Sequence, residues 1–585
     1  MTYERTGALL GIKFREYLFP TIISNMSILL AAFVDGIIVS KLINDDAFSA
    51  VNLAEPVVLF MQALFFLFGI GGAICISIAK GRRDERKANV MFTLSFIASI
   101  VVSVIVTIAG TVLIDPITSL LCNDSTLYEY VRNYVLFTIY GSVFMIVVPY
   151  LVFIIRTDGM PKLSANILLV SNVVNLVMDL VYMGVFKMDT SGAALATVTG
   201  YVVGFGMELY YLLFFKKRTL QFIRLKKTDL KYLGELSTGG IASVVNTVLL
   251  FVKAIMLNRI VLLTAGADGM AVFSVCNFTV TFISMFVTGG SDTMTPIVGL
   301  LYGERDYRGI DFVLRKTFVF VGVSCAIIVA AIIAFPQLLL QLFSVTSPER
   351  VALGIPAVRI FSLSLIGMGV CIVMMNYLQA IGHKTLSVMI ALLRGLVITV
   401  PLAYLLANLL GLNGVSLAFV LAEALTASLA FLTCFVISRV KKEKYSGILL
   451  HERQSENSVL FDASLQPEAQ QAAGIAHSII DFCHSNGVQG KAADFAGVLA
   501  EEIVEHIRYF NQNKKQPQID LICRVTEQEV ILSVRDNGEA FDAATADDDD
   551  EFTNLKMIHS LADSTDYTRA LGLNNMLITI KRTPC

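Results

Sequence analysis

The sequence has no tryptophan and little charge. Of its 585 residues only 16% are Asp, Glu, Lys or Arg, whereas 55% are hydrophobic. A soluble chain carries about 25% charged residues, so this composition excludes a soluble protein and indicates many membrane-spanning segments. Without tryptophan, any aromatic belt at the membrane surface must consist of Tyr and Phe. The formal net charge of −2 indicates no particular kind of partner.

Patterns that form disulfides or bind metals are also missing. The nine cysteines include no Cys-x-x-Cys pair, so we expect them to be small apolar side chains in a reducing or lipid environment. None of the six histidines lies inside an apolar run. Any proton coupling within the membrane is therefore expected to depend on carboxylates.

Long hydrophobic runs dominate the first 440 residues. A helix needs about 20 apolar residues to cross a hydrocarbon core of about 30 Å. Runs of this length cover residues 17–40, 53–79, 91–114, 130–155, 164–186, 191–215, 238–264, 270–301, 315–343, 355–381, 386–410 and 413–439. We therefore predict a polytopic α-helical membrane protein with twelve transmembrane helices, numbered spans 1 to 12 in chain order.

The loops between the spans alternate in charge. One set is rich in Lys and Arg and comprises Lys80–Lys87, Arg156–Lys162, Lys216–Lys227, GERDYRGIDFVLRK and RVKKEK. The other set, which includes KLINDDA, TAGADG and NLLGLNG, has almost none. Because basic loops remain in the cytoplasm, we predict a multi-pass plasma-membrane protein with both termini cytoplasmic.

The two halves of this region repeat each other. Segments 222 residues apart match, so that Gly81 and Asp84 of GRRD fall on Gly303 and Asp306 of GERD. Duplication of six helices gives parallel repeats, as in transporters that rock around a central site. We assign residues 1–215 to an N-terminal six-helix lobe, 216–440 to a C-terminal six-helix lobe, 441–467 to a linker and 468–585 to a cytosolic domain.

Span 1 carries one ionisable residue after its first turn, Asp35. Helical spacing places Ser24, Ser27 and Ala31 on the same stripe. A carboxylate at membrane depth costs at least about 2.5 kcal/mol on insertion scales. It therefore indicates an ion or proton site, which we favour, or a paired acid that only locks helices together.

Span 5 adds a polar face. Asn172, Asn175 and Asp179 stand at positions i, i+3 and i+7 of one helix face. Together with Asp35, a second carboxylate and an amide oxygen suit a small hard cation, or one proton shared between like charges. The alternative is a polar ladder that only packs helices.

The second lobe lacks this acid site. Phe33-Val34-Asp35 matches Phe251-Val252-Lys253, and Asp179 has no acidic counterpart. The acid site therefore belongs to the N-terminal lobe alone. Further candidates for buried charge are Glu55, Glu208, Lys253, Arg259, Asp292, Arg394 and Glu423.

Several motifs in residues 1 to about 440 are similar to those of the multidrug and toxic compound extrusion (MATE) family. They are FVDGIIVSKL in span 1, the Asn175-x-x-x-Asp179 spacing, the following GAALAT, and the two G-x-R-D loops. The resemblance implies antiport, in which an organic and often cationic compound leaves while Na⁺ or H⁺ enters. Some relatives have a cation site in the second lobe, but Lys253 and the lack of an acid in span 10 argue against that version here.

The resemblance also implies a set of site residues. Asp35, Asn175, Asp179 and Thr197 fall on the positions that form the cation site of relatives, and they would be the ligands if the ion is Na⁺. Tyr134 in span 4 is a further candidate. No tightly bound cofactor is expected, because Na⁺ or H⁺ serves only as the coupling ion.

The chain becomes polar and charged after Lys444. Two amphipathic helices, strands IDLICRV and VILSVRD, and later strands predict a compact α/β sandwich. Helix residues EExxxH followed by RDNGEAFD resemble the GHKL ATPase fold, especially anti-sigma-factor-like serine kinases. The resemblance implies Glu502 as general base, Asp536 as the adenine-binding acid and Gly538 as a close backbone contact with nucleotide.

The tail departs from that family at functional positions. His506 stands where the family has a Mg²⁺-binding Asn, and NLKM (Asn554–Met557) replaces the glycine-rich phosphate lid. The acidic loop Asp547–Glu551 would repel phosphates. We therefore expect a regulatory or partner-binding domain, with binding of ATP and Mg²⁺ as an alternative and kinase or ATPase activity disfavoured.

The whole sequence predicts a secondary transporter rather than an enzyme. Its partners would be a small organic substrate, membrane lipid and a cytosolic protein bound by the tail, but no nucleic acid. One alternative is a membrane-tethered sensor whose tail is an anti-sigma or histidine-kinase-like ATPase. Another is a lipid-precursor flippase, which should have a strongly basic central cavity and not an acidic N-terminal site.

Overall fold

The computed structural model describes residues 4–582, apart from residues 123, 217, 344, 346, 454–457, 489–490, 512–516 and 541–559. The acidic loop Asp547–Glu551 and the segment Asn554–Met557 lie outside the described residues.

The N-terminal lobe consists of long apolar helices joined by short turns. Its spans are Ala8–Leu42, Asp45–Gly81, Glu85–Val112, the pair Tyr128–Tyr140 and Ser142–Thr157, Pro161–Asp179 with the π-helical Leu180–Val185, and Thr190–Phe214. A short helix, Ile114–Leu121, precedes span 4. The two helices of span 4 meet at a bend of 54°.

The C-terminal lobe repeats this arrangement. After the short 3₁₀ helix Lys227–Lys231, its spans are the two parts of Tyr232–Gly303, then Tyr307–Ala334, Pro348–Ala380, Lys384–Leu392 with the π-helical Leu393–Val397 and Thr399–Leu410, and Leu412–Val440. A short helix, Pro336–Leu342, precedes span 10. In each lobe, therefore, the fifth helix contains a π-helical segment, a feature frequent at functional sites.

The number of spans depends on the helix Tyr232–Gly303. Ten described helices are long and apolar enough to cross a membrane, and the bent pair of span 4 makes eleven. At 1.5 Å per residue, a straight helix of 72 residues would extend about 108 Å, far more than one crossing. It breaks at Gly266 (φ 62°, ψ −161°), so it contains spans 7 and 8 and brings the number to twelve. The connection predicted at TAGADG falls at this break but is shorter than predicted, because only Gly266 leaves the helical conformation.

The repeat is also visible in the loops after spans 2 and 8. Arg83 (φ 61°) and Arg305 (φ 60°) both adopt the left-handed conformation. The next residue in each loop caps the following helix: Asp84 Oδ1 accepts a hydrogen bond from Lys87 N at 2.8 Å, and Asp306 Oδ1 accepts one from Gly309 N at 2.9 Å. The matching G-x-R-D sequences therefore have matching structures.

The two lobes touch where these loops begin. A Cβ atom on Gly81 would lie 2.9 Å from Gly303 Cα and would clash with the carbonyl of Leu300. A Cβ on Gly303 would lie 2.8 Å from Gly81 Cα and would clash with the carbonyl of Ile78. Spans 2 and 8 are therefore in direct backbone contact on this side, which we call the tail side because the C-terminal tail contacts it.

The tail forms an antiparallel sheet with two helices. Its strands are β1 (Tyr445–Ser446), β2 (His451–Glu452), β3 (Val459–Leu465), β4 (Ile519–Val525), β5 (Glu529–Asp536), β6 (Ser564–Ala570) and β7 (Leu573–Lys581). Strands β1 and β2 form a hairpin, and the five-stranded sheet has the order β3-β4-β5-β7-β6. Helices Ala469–Ser485 and Lys491–Phe510 share one hydrophobic core with the sheet. Strand β3 comes from residues that the sequence assigned to the linker.

Candidate functional site

The acids predicted in spans 1 and 5 lie together in the N-terminal lobe. The carboxyl groups of Asp35 and Asp179 are within hydrogen-bonding distance of each other. Asp179 is completely buried (0% exposed) and is the last α-helical residue before the π-helical segment of span 5. Asn175 Nδ2 lies 3.4 Å from Asp179 Oδ2 and 3.2 Å from Thr197 Oγ1. The four residues implied by the resemblance therefore form one pocket.

This pocket contains two carboxylate oxygens without partners. Asp35 Oδ1 and Asp179 Oδ1 are buried and make no hydrogen bond to any described residue. Two carboxylates this close repel each other unless a proton or a cation lies between them. The two carboxylates and the hydroxyl of Thr197 offer oxygen donors, which suit a hard cation, whereas Asn175 turns its amide nitrogen toward Asp179 and Thr197. The described residues contain no group of three or more His, Cys, Asp or Glu side chains that could hold a metal ion.

Tyr134 is buried near this pocket, and the charges of Asp35, Glu55 and Asp179 act on its hydroxyl. Asn172, by contrast, has a structural role: its Nδ2 donates to Ser27 Oγ at 2.9 Å, which joins spans 1 and 5. The polar face predicted on span 5 thus divides into a helix contact at Asn172 and a pocket around its other two members.

The charged candidates elsewhere in the membrane differ in exposure. Glu55 and Arg259 have exposed side chains, so their prediction as buried charges was wrong. Glu208 is fully buried, and neither of its carboxyl oxygens has a hydrogen-bond partner among the described residues. Asp292 Oδ1 accepts a hydrogen bond from Asn376 Nδ2 at 3.3 Å.

The C-terminal lobe has a polar pocket on the corresponding helices. Arg394 of span 11 pairs with Glu423 of span 12, with Nη2–Oε1 at 3.0 Å and Nε–Oε2 at 3.3 Å. Lys253 of span 7 lies beside them, with Nζ 5.3 Å from the ring centroid of Phe419. The Arg394–Glu423 pair was missed from the sequence, because 29 residues and a turn separate the partners and no helical spacing relates them.

The nucleotide-site residues implied for the tail come together only in part. A cavity of about 40 Å³ is lined by residues that include His506 and Asp536, but Glu502 is not among them. The Asp536 carboxylate accepts hydrogen bonds from Gly538 N at 2.6 Å and from Asn574 Nδ2 at 3.0 Å. At about 10–15 Å³ for each water, the cavity formed by these described residues holds about three waters.

The tail binds the C-terminal lobe through a buried ion cluster that no sequence pattern predicted. Arg5 makes a bidentate pair with Asp306, with both contacts at 2.7 Å, and its Nη2 lies 3.4 Å from Asp520 of strand β4. Arg535 of strand β5 pairs with Asp306 at 3.2 Å and also with Glu304. We call these five residues the tail cluster.

Electrostatics within the tail cluster favour the paired state. Burial alone would raise the pKa of Asp306, but the charges of Arg5 and Arg535 and the hydrogen bond from Arg5 outweigh burial and hold that pKa well below its ordinary value. The Asp306 carboxylate is therefore ionised throughout the physiological pH range, and each of its oxygens accepts a hydrogen bond from an arginine.

The tail also contacts the N-terminal lobe. Arg83 Nη1 donates to the carbonyl oxygen of Asp566 in strand β6 at 2.8 Å. A Cβ on Gly159, in the loop after span 4, would lie 2.6 Å from Gly572 N in the turn between β6 and β7. The tail thus bridges both lobes on the side where Gly81 meets Gly303.

Two parallel six-helix lobes, each with a buried polar pocket, define a membrane transporter of the paired-lobe class. The family model described as MatE matches residues 20–181 and 241–405, which is more than half of the chain. The chain therefore belongs to the MatE family, whose members are secondary transporters and not enzymes.

Similar proteins support this assignment. The multidrug export protein MepA of Staphylococcus haemolyticus is 26% identical over 437 residues, which cover 74% of this chain and 95% of that protein. MepA of Staphylococcus aureus (strain MRSA252) is 24% identical over 392 residues, covering 66% of this chain and 85% of that protein.

Solved structures share the fold. A multidrug resistance MATE transporter in an outward-facing conformation superposes with a TM-score of 0.68 at 23% identity, covering 74% of this chain and 96% of that one. A MOP superfamily transporter from Pyrococcus furiosus, described as having a binding pocket of reverse polarity, also gives 0.68 at 23% identity, with 73% and 96% covered.

Proposed function

We propose that this protein is a multidrug antiporter that exports organic cationic compounds in exchange for Na⁺ or H⁺. The observation that supports the proposal best is the Asp35–Asp179 pair, in which one oxygen of each carboxylate has no hydrogen-bond partner among the described residues. The export of several drugs is inferred from the MepA relatives.

The mechanism follows from competition for this acid pair. When both carboxylates are ionised, they attract a cation, either the organic substrate or the coupling ion. Binding of one monovalent cation lowers the charge of the pair from −2 to −1 and so weakens the attraction for the other. Rocking of the lobes between the two sides then exports the compound while the ion enters.

The donor set is compatible with both ions. Two carboxylates and Thr197 offer oxygen ligands for Na⁺. The same pair could share a single proton, because protonation of one acid relieves the repulsion and supplies a hydrogen-bond donor to the other. We therefore propose Na⁺ or H⁺ as the coupling ion and Tyr134 as a neighbouring polar group.

Export of a fluorescent cation from proteoliposomes tests the proposal, with Na⁺ and pH gradients imposed separately. Wild-type protein is expected to drive efflux under one gradient, and Asp35→Asn and Asp179→Asn are each expected to abolish it. Asp268→Asn is the control, because Asp268 belongs to an exposed pair with Arg350. Wild-type export rates in Asp35→Asn would refute the role of the pair.

We further propose a plasma-membrane location with both termini cytoplasmic. The tail contacts the G-x-R-D loops, which belong to the basic set, so tail and basic loops share one side. Protease treatment of intact cells should leave a C-terminal epitope uncut. Cleavage there without permeabilisation would reverse the assignment.

For the tail we propose a regulatory role in transport. Its contacts with Arg83 in one lobe and Asp306 in the other favour the state in which the tail side is closed. Binding of ATP and Mg²⁺, and the sensor function that would use it, are the alternative; His506 and NLKM (Asn554–Met557) at two positions of the nucleotide site argue against them. Saturable ATP binding by the full-length protein would favour the sensor.

A further inference from the structure

Glu208 of span 6 is a buried acid that lies outside the Asp35–Asp179 pocket. Its side chain is 0% exposed, and neither of its carboxyl oxygens has a hydrogen-bond partner among the described residues. An ionised carboxylate is so costly to bury without a partner that such a group takes up a proton instead. Glu208 is therefore a proton-binding group inside the N-terminal lobe.

The groups beside Glu208 are neutral. Tyr150 of span 4 is an ionisable side chain on which a charge at Glu208 acts, and its hydroxyl is hydrogen-bonded with Ser95 Oγ of span 3 at 2.8 Å. No described Lys, Arg or His side chain forms an ion pair with Glu208. A single carboxyl group binds one proton by itself, whereas a hard metal cation needs several oxygen ligands at once. The place therefore suits H⁺.

Glu208 shares one face of span 6 with the acid pocket. Thr197, Gly204 and Glu208 stand at positions i, i+7 and i+11, which form a single stripe of an α-helix. At 1.5 Å per residue, Glu208 lies about 16 Å from Thr197 along the helix axis. It lies toward the tail side, where span 6 ends at Phe214.

Span 5 supplies a polar side chain between the pocket and Glu208. Ser171 is buried, and a Cβ atom on Gly204 would clash with its hydroxyl. Ser171 Oγ donates to the carbonyl oxygen of Ile167 at 2.8 Å, and its lone pairs can still accept hydrogen bonds. A buried water needs polar partners, and Ser171 provides one at this depth.

Polar groups continue from Glu208 to the tail side. One turn further along the same stripe, the Tyr211 hydroxyl donates to Asp158 Oδ2 at 2.6 Å. Asp158 also accepts hydrogen bonds from Lys80 Nζ at 2.9 Å and from Thr219 N at 3.1 Å. Thr219 is partly exposed, in the loop after span 6. The polar groups on this side of Glu208 therefore reach the surface.

We propose that Glu208 carries protons between the Asp35–Asp179 pair and the tail side, along a route inside the N-terminal lobe. Glu208 releases its proton to water on the tail side and then accepts, through water, the proton that the pair holds. One O–H bond breaks and one forms at Glu208, which ends as it began, and the pair returns to two carboxylates. The inference rests on the antiport function proposed above and makes H⁺ its coupling ion.

This route is separate from that of the organic compound. The compound must pass between the lobes, where the backbone contact of Gly81 with Gly303 closes the tail side. Ser171, Glu208 and Tyr211 all belong to the N-terminal lobe. The proton can therefore leave the pair while the lobes remain closed to the compound.

Two measurements on proteoliposomes separate proton release from movement of the lobes. Efflux of radiolabelled ethidium, an organic cation, under a pH gradient requires the proton to reach the tail side. Exchange of labelled for unlabelled ethidium at equal pH requires the lobes to rock but releases no proton. In Glu208→Gln, efflux is expected to fall at least about 100-fold, the lower end of what a positioned proton-transfer group contributes, whereas exchange should keep the wild-type rate.

Two further variants provide the controls. Glu208→Asp keeps a carboxyl group and is expected to restore efflux above the rate of Glu208→Gln. Glu129→Gln removes an exposed glutamate of span 4 and should behave as wild type. Wild-type efflux in Glu208→Gln would overturn the inference. So would an equal loss of efflux and exchange, because that result indicates a packing role.

Infrared difference spectra detect the proton on Glu208 without transport. Wild type minus Glu208→Gln should contain the carbonyl band of a protonated carboxylic acid at neutral pH, and wild type minus Glu129→Gln should lack it. A carboxylate band for Glu208 would overturn the inference.

The outcomes distinguish this inference from the proposed function. If a Na⁺ gradient alone drives ethidium export, the antiport function stands and the proton route fails. If the infrared band depends on Glu208 but neither gradient drives export, the buried proton site stands, whereas the antiport function and the route that rests on it fail.

Discussion

Removal of Arg535 should release the tail from the lobes. In the wild-type protein Arg535 is 4% exposed and contacts both Glu304 and Asp306. Arg535→Gln leaves Arg5 as the single cation among three acids of the tail cluster. While the tail stays docked, Glu304 and Asp306 would then each lack one arginine partner. If the tail moved away, water could solvate both carboxylates again.

The free energy of tail docking that Arg535→Gln removes can be estimated from the burial of the pair. Breaking a buried ion pair by removing one partner costs about 3–5 kcal/mol, because an uncompensated charge remains. Asp306 keeps its bidentate pair with Arg5, so we take the lower value. A loss of about 3 kcal/mol corresponds to a shift of about 150-fold in the equilibrium between docked and released tail, at 1.36 kcal/mol for each tenfold change.

Hydrogen–deuterium exchange of full-length protein in nanodiscs measures this shift. The reporter is the backbone at the interface, where Thr6 N donates to Ser464 Oγ at 3.1 Å. Peptides that contain these residues should exchange up to about 150-fold faster in Arg535→Gln, the full equilibrium shift. Peptides from span 3, which lies away from the tail cluster, should exchange as in wild type.

Arg308→Gln is the control for a tail contact at the surface. Arg308 pairs with Asp462 of strand β3 at 2.6 Å, but its side chain is 70% exposed. An exposed pair contributes about 0–1 kcal/mol, so exchange should rise by about fivefold at most. Equal exchange in the two variants would refute the conclusion that the tail cluster holds the tail in place.

Three further results are expected. Gly303→Ala should prevent closure of the tail side, because its Cβ would meet Gly81; transport should fall, whereas Gly322→Ala, with open space around it, should transport normally. Gly266→Ala should destabilise the protein by about 1–3 kcal/mol in thermal unfolding, since its backbone conformation is nearly restricted to glycine. Docking of the tail should persist in acid: the depressed pKa of Asp306 provides stability at pH values above its ordinary 3.8, which is lost only as pH falls through the lower folded value. Detachment at pH 5 to 6 in exchange measurements would contradict this.

The N-terminal pocket was predictable because a charge inside a membrane is expensive. That cost limits where Asp35 and Asp179 can point, and helical spacing places Asn175 on the same face as Asp179. The structure brings the three side chains together, and their role as an ion site stays a prediction. Tyr134 and Thr197 came from the family resemblance and not from spacing; Thr197 lies in the same pocket and Tyr134 near it.

The contacts of the tail were not predictable in the same way. Arg5 and Asp306 are 301 residues apart, and both lie in polar segments where a charge at the surface has little cost. Neither spacing nor hydropathy restricts their partners. The Arg394–Glu423 pair is an intermediate case: the cost of burial indicates that each needs a partner, but only the packing of spans 11 and 12 determines which.

The contact between Gly81 and Gly303 has the form of a homodimer interface. Each glycine rests against the carbonyl of the residue three positions before the other, Leu300 or Ile78, and these two residues also correspond in the repeat. Such reciprocal contacts are isologous: one surface patch meets its own copy across a twofold axis. A symmetric dimer of six-helix chains would place one glycine against itself. In the fused chain the two glycines can mutate separately. A larger residue at either position would displace the other helix. Because the opposite residue is already glycine, no second substitution there can make room.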